Sequence, residues 1–299
     1  MTEPQGQSAS ASADLAVVVI SLRNEPGLVD AVRSLTSQQP RPEIVVVNSG
    51  GGEAGATLDA AGIEVRSIEF SRPLLPGAAR NRGVRATSAP FIAFLAADCR
   101  AEPGWVAGRL RRHRAGAPAV SSVITNDAPR SASSSAAHLL LFPRRMTSTP
   151  AASRLHYGVS YARPMLEELG PFREDLRQGE DSELNRRLRL ATEIEWAPEI
   201  RTAHRNPLDL WQLLRDQYAR GSRSHLYWHL STSAMLQIAL FKRPLDALRQ
   251  GFRAKERAGA LRAAPVLMPA SIAFTLGLMR ARRSRTLPAG ALALSRPQR

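Results

Sequence analysis

A chain of 299 residues with 43% hydrophobic content can bury one large α/β core, alone or with a helical appendage. Its single cysteine, Cys99, excludes an intramolecular disulfide framework and fits a reducing, cytoplasmic setting. The net charge of +15 is uneven, because residues 201–299 hold 18 basic and 4 acidic residues while residues 1–200 are close to neutral. A tail of that sign expects an anionic partner, lipid head groups or nucleic acid, unless it is simply a solvated basic face.

Residues 1–13 are rich in Ser, Ala and Gln and lack the basic and apolar stretches of a signal peptide, so they read as a disordered leader. Leu15–Ser21 is a continuous β-branched run of the kind found in central parallel strands. Pro26 opens a helical pattern with Leu28, Val29, Val32 and Leu35 on one face. Glu43–Asn48 is a second strand, a helix is expected from Glu53 to Ala61, and Ile63–Ile68 alternates like a third strand. Gly77–Ala86 reads as helix, Phe91–Leu95 as a fourth strand, and Pro103-Gly104-Trp105 opens a further helix to about Arg114. Such alternation predicts a mostly parallel sheet flanked by helices, with ligands beyond the carboxyl ends of its strands.

Ala119–Ile124 adds a strand, whereas Asn126–Ser153 reads as a long irregular loop, a lid over a site, with an apolar island at Leu139–Phe142. Tyr157–Tyr161 returns to the sheet, Gly179–Leu190 is a helix with Leu184, Leu188 and Leu190 on or near its apolar side, and Glu193–Trp196 is a short strand. The pattern is helical from Pro207. Ala263–Met279, 17 residues with Pro265 and Pro269, is at the short end for a membrane span; an interfacial or re-entrant segment and a buried helical hairpin are equally expected. The organisation is a leader at 1–13, an α/β domain at 14–206 and a basic helical region at 207–299.

No Walker-type loop and no Cys/His cluster is present in the sequence. Chemistry therefore falls to isolated groups. Arg80, Arg82 and Arg85 lie near an expected helix start that favours anions, or on a surface basic helix. Asp98 follows an apolar strand, where a carboxylate serves a metal or a ribose hydroxyl, or merely a turn. Glu180 and Asp181 open a helix, either as a base aimed into a cleft or as ordinary first-turn acids. His204 is a ligand or a structural histidine.

In their order these segments resemble the family 2 inverting glycosyltransferases of GT-A fold: VVVISLRNEPGLVDAVRSL at 17–35, EIVVVNSGG at 43–51, PGAARNRGVRAT at 76–87, FIAFLAADCRAEPGW at 91–105 and GPFREDLRQGEDSELNRRL at 170–188. The resemblance implies a nucleotide-diphosphate sugar as donor and a glycan, lipid or small-molecule hydroxyl as acceptor. It places the base-binding loop at Ser21–Glu25, with Ser21, Arg23 and Asn24. Nucleotide contacts are implied at Asn48, Arg80, Asn81 and Asp98, a Mg²⁺ or Mn²⁺ site at Asp98 and His204, and the catalytic base at Asp181 beside Glu180. Asn48 stands where the family usually has Asp, and Ala96 where the first acid of its D-x-D motif falls. Arg80 or Arg82 is then expected to share the offset of diphosphate charge. A protein of this kind belongs in the cytoplasm, peripheral to the inner membrane face through 207–299. The alternative is a degenerate relative that binds a sugar nucleotide or partner without turnover. Nucleic acid ranks last, because the tail lacks interleaved aromatics.

Overall fold

The computed structural model describes residues 13–149, 151, 154, 158–224 and 231–283. Residues 1–12 of the expected leader, and the chain beyond 283, lie outside the described residues. The first half runs β1 (Leu15–Leu22), α1 (Leu28–Thr36), β2 (Glu43–Ser49), α2 (Ala54–Ala60), β3 (Arg66–Phe70), α3 (Pro76–Arg85), β4 (Phe91–Ala96), β5 (Cys99–Ala101) and α4 (Trp105–Arg114). Then come β6 (Ala119–Asn126), α5 (Ala132–Leu141), β7 (Ser160–Ala162), α6 (Arg163–Leu169), α7 (Glu180–Ala191) and β8 (Glu195–His204). Helices α8 (Leu210–Arg223), α9 (Thr232–Gln237), α10 (Arg243–Arg253) and α11 (Arg257–Arg283) follow, with a π-helical turn at Ile238–Lys242.

The strands form one mixed sheet in the order β3-β2-β1-β4-β7-β6-β8-β5. Strands β1 to β4 are parallel, and β7 is antiparallel to both of its neighbours, β4 and β6. Strand β6 therefore runs with β4, and β8 pairs parallel to β6. The pairings set Ser21 opposite Asn48, Ile20 opposite Ala96 and Asn126 opposite His204, all toward one edge of the sheet. Both faces are buried: Leu15, Val17 and Val19 pack with α1 and α4, and Val18 packs on the other side with Ala79, Leu184 and Leu188. Two covered faces are why these strands read as unbroken apolar runs.

Four expectations change. Strand β3 starts at Arg66, because Ile63 is instead buried in the core and its amide donates to the Leu58 carbonyl, closing α2. Strand β8 extends to His204; its register against β6 jumps between Ser122 and Val123, which takes up Pro198, a residue with no N–H for the ladder. Leu190 is 81% exposed rather than on the apolar side of α7. The stretch expected as an irregular lid contains α5. Its Ser/Ala composition hides a helix: Ser131 caps it by accepting from the Ser134 amide, and alanine is the best helix former. Ala136, Ala137 and Leu139 then bury against the C-terminal helices.

Those helices are organised by α11, a single 27-residue helix that continues through Pro265 and Pro269 and is not a hairpin. Ala260, Ala263, Leu267, Ala270, Phe274 and Leu278 form its buried stripe. It meets α8 at backbone distance, because a Cβ at Gly221 would lie 1.9 Å from the Phe274 carbonyl oxygen and one at Gly277 2.1 Å from that of Tyr218. By length and composition α11 is apolar enough to cross a membrane, and 44% of its apolar window is buried within the protein.

Candidate active site

The loop after β1 is held in an uncommon shape. Arg23 and Asn24 both take left-handed φ values, 56° and 53°, without being glycine. Such conformations cost of order 1–3 kcal/mol each and persist only where neighbours fix them. The neighbours are visible: the Arg23 amide donates to the Ser49 carbonyl (2.8 Å), the Asn24 amide to Asn48 Oδ1 (3.0 Å), and the Asn24 side chain to Thr57 Oγ1 (2.7 Å). Ser21 Oγ accepts from the Glu25 amide. Gly27 permits the loop to lie against the next one, since a Cβ there would sit 2.4 Å from the Ala97 carbonyl oxygen.

Asn48, expected to face the nucleotide, is fully buried and its side-chain groups are bonded within the protein. Its Nδ2 donates to the Gly51 carbonyl (2.9 Å) and to Glu69 Oε2 (2.7 Å), and its Oδ1 takes the Asn24 amide. Asn48 and Glu69 are cross-strand partners. An Asp at 48 would set two carboxylates against each other there, which is destabilising. The amide at 48 is thus the counterpart of the carboxylate at 69. Arg23 is exposed, and among the described residues its guanidinium has no partner.

Asp98 and His204 are brought together, with Oδ2 and Nε2 3.3 Å apart. The hydrogen bonds settle the histidine's orientation. Asn126 Oδ1 receives the Ser134 hydroxyl (2.6 Å), the Ala128 amide and Asn206 Nδ2 (3.1 Å), so Asn206 turns its Oδ1 toward His204 Nδ1 (2.9 Å). His204 Nδ1 therefore donates to Asn206, which leaves Nε2 facing the Asp98 carboxylate. A ring nitrogen and a carboxylate oxygen at this distance can hold either a shared proton or a cation. A histidine whose other ring N–H is anchored is also the usual form of a metal ligand, so the residues fit a divalent ion. Cys99 Sγ lies within the same 4.8 Å group, but burial and Asp98 push its thiol well up, and it donates to Asp98 Oδ1. Burial works to raise the Asp98 carboxyl, yet the His204 hydrogen bond and charge, with Cys99 and Arg220, hold it below the ordinary carboxylate range. Protein surrounds Asp98 on most sides, while 46% of its side chain stays open to solvent.

Glu25 lies within electrostatic reach of Asp98, which nothing in its sequence context marks. Burial and the Asp98 charge raise its carboxyl from 4.5 to about 7. Folding thus favours the protonated form: Glu25 contributes stability below about pH 4.5 and loses it as pH rises through about 7. Glu25→Gln should melt with wild type near pH 5 in EDTA and above it at pH 8. Parallel melting temperatures across that range would mean that the fold does not hold Glu25 protonated.

The glycine-rich segment is helix α3, and its arginines do not sit at a helix start: Arg80 is in its middle, and Arg82 and Arg85 are in its last turn. Gly83 is needed for packing, since a Cβ would lie 2.2 Å from Val18 Cγ1. Arg80 pairs with Glu180 and lies against the rings of Phe94 (5.8 Å) and Phe172 (5.4 Å). It is committed to the protein rather than open to a diphosphate, and Arg82 sits at the Phe70 ring. Asn81, expected to contact the nucleotide, is buried: its Nδ2 donates to the Phe172 carbonyl and to Glu174 Oε1 (both 2.9 Å), and its Oδ1 accepts the Phe172 amide (3.0 Å). Arg80 and Asn81 therefore fasten α3 to the 172–180 segment.

That fastening separates the acidic pair. Glu180 is buried against Arg80, while Asp181 is partly exposed and makes only a local contact, accepting from the Ser182 amide at 2.8 Å. Gly179, with φ 82°, turns the chain into α7 so that Asp181 stands in the first helical turn. Behind it Tyr161 is buried, its hydroxyl donating to Asn185 Oδ1 (2.7 Å); burial, then the Asp181 charge, push its phenol up.

Comparison with known proteins agrees with the fold. Residues 16–162 match the family model described as Glycosyl transferase family 2, a span that ends before Asp181 and His204. A mannosyltransferase, PcManGT from Pyrobaculum calidifontis, solved in complex with GDP-Man and Mn²⁺, is similar at TM-score 0.52 and 16% identity, with 95% of this chain and 79% of that one covered. TarS 1–349 of S. aureus in complex with UDP-GlcNAc is similar at 0.51 and 16%, with 91% of each chain covered. At these identities the likeness is one of fold. No curated protein matches the chain in sequence.

Proposed function

The chain is a glycosyltransferase of family 2 with a GT-A fold, and from that premise we propose that it moves a sugar from a nucleoside-diphosphate donor to a hydroxyl acceptor with inversion, Asp181 taking the acceptor proton. The observation that carries the assignment of the base is the division of the acidic pair. Glu180 is spent on Arg80, and Asp181 is the member of the pair left partly exposed, with the Ser182 amide as its hydrogen-bond partner among the described residues. Inverting transfer needs one such base, placed opposite the leaving group.

On the donor side the loop Ser21–Glu25, stiffened by Asn24 and Asn48, holds the nucleotide, and Arg23 is the free cation at its mouth for the diphosphate. Asp98 and His204 are the residues that would hold a divalent ion, with Glu25 as the second carboxylate that Ala96 does not supply. Such an ion, when bound, offsets the charge gained by the departing nucleoside diphosphate.

The acceptor is a glycan, lipid or small molecule met at the inner face of the cell membrane, to which the protein is peripheral. Support comes from the C-terminal helices, where Trp211, Phe241, Phe252 and Leu261 are 43–66% exposed beside basic side chains such as Arg249 and Arg253. This mix of exposed apolar and basic residues suits an anionic lipid surface.

A thermal-shift panel of UDP-, GDP- and TDP-sugars on the full chain, with Mn²⁺ or with EDTA, tests the reading. One nucleotide class should raise the midpoint by several degrees in Mn²⁺ and less in EDTA, since ligand at 100 times its Kd stabilises by about 2.7 kcal/mol. No stabilisation by any donor would overturn it.

A further inference from the structure

At the end of β6 lies a cavity of about 300 Å³, between α5 and the turn joining α10 to α11. That volume is at the lower end of the roughly 300–1,000 Å³ of small-molecule sites. It adjoins the site already described, because Asn126 lines it and also fixes Asn206 behind His204.

Three features of its wall point to an anion. Lys255, Arg257 and Arg262 line it, against one carboxylate, Glu256, and among the described residues none of the three has an ionic partner. The amino end of α11 faces it through Arg257, Ala258 and Gly259, so unpaired helix amides add to the positive field. His138, only 6% exposed, also lines it, and its Nδ1 is buried without a partner among the described residues. A buried polar atom left unpaired costs about 1–3 kcal/mol, which a ligand oxygen would recover.

The backbone of Lys255 is also unusual. It ends α10 with φ 62°, while the Glu256 amide reaches back to the Gly251 carbonyl. Glycine is the residue that suits this helix-ending conformation, so a lysine here is held against local preference, at the rim of the cavity.

We propose that this cavity is an anion site, holding the phosphate group of a phosphate-bearing acceptor through Lys255, Arg257, Arg262 and a ring N–H of His138. The acceptor role rests on the glycosyl-transfer reading; the anion site does not. Asn126 is shared by the cavity wall and the hydrogen bonds behind His204, so a phosphate held there would adjoin the site already described.

Lys242 and Lys255 are the only lysines in the chain, so amine acylation read by peptide mass spectrometry reports on the cavity with an internal control. Inorganic phosphate should slow labelling of Lys255 and leave Lys242 unchanged. Lys255→Gly and Arg262→Ala should each weaken phosphate binding about tenfold in calorimetry, the loss of one charge-assisted contact. Both should leave unchanged the affinity for whichever nucleoside diphosphate the donor panel selects. Lys255→Gly relieves the left-handed strain, so its melting point should equal or exceed that of wild type, which separates loss of binding from loss of fold. Protection by phosphatidylglycerol vesicles beyond that by glycerol 3-phosphate, with none by phosphatidylcholine, assigns a lipid source; equal protection by both phosphates assigns a soluble one. Absence of protection, equal phosphate affinity in Lys255→Gly, or one-for-one displacement of phosphate by the nucleotide would overturn the site. If Lys255 is protected but no donor binds, the transferase reading fails and the anion site stands.

Discussion

Replacing Asp181 with Asn should lower kcat by about 10²–10⁴-fold, the usual contribution of a positioned general base, and leave donor affinity unchanged. The substitution is isosteric and keeps an oxygen for the Ser182 amide, so the start of α7 should be retained. Asp181 is partly exposed and unpaired apart from that local bond, so no buried charge is stranded. A kcat within about threefold of wild type would mean that the proton leaves by another route, and would remove the base assignment. The control is Glu180→Gln, which should act on stability first, because Glu180 is the pair's buried member. The predicted asymmetry between two adjacent carboxylates is a demanding test: a purely structural acidic pair would show the same stability loss at 180 and no loss of turnover at 181.

Much of the fold was legible along the chain because its core strands are covered on both faces. LAVVVIS and EIVVVN announce β1 and β2 by β-branched runs, and the motif order locates the carboxyl edge where Asp98 lies. The helix α5 was not legible, because its Ser/Ala content resembles a loop and its apolar residues make sense only against α11, more than a hundred residues later. The length of β8 was hidden by Pro198. At the site, proximity of Asp98 to His204 followed from the family resemblance, but the roles of Asn48, Asn81 and Arg80 did not. Each was expected to face the donor, and each instead bonds a partner far away in sequence: Glu69, the Phe172 backbone and Glu180. Side chains at such positions differ little in sequence whether they hold a ligand or a loop; only the partner's location decides. The departure at 48 is explained by that partner, since the cross-strand carboxylate makes a neutral amide the better neighbour.

Arg80→Ala should be the most damaging substitution to stability near the site, costing about 3–5 kcal/mol, the range seen when one member of a buried ion pair is removed. The side chains of Arg80 and Glu180 are 14% and 6% exposed, so little water can replace the lost guanidinium. What remains is the buried Glu180 carboxylate without its cationic partner. Lysine should not rescue it, because the planar, weakly hydrated guanidinium is what packs against the rings of Phe94 and Phe172. The double variant Arg80→Met with Glu180→Gln should recover most of the stability, since neither partner is then left charged. Turnover should recover less, because the tether that fixes α7 and sets Asp181 is gone. Urea unfolding with steady-state rates on the same proteins separates the two effects. A loss below about 1 kcal/mol for Arg80→Ala would place the pair with ordinary surface bridges. Full recovery of kcat in the double variant would show that Arg80 holds the fold and does not position the base.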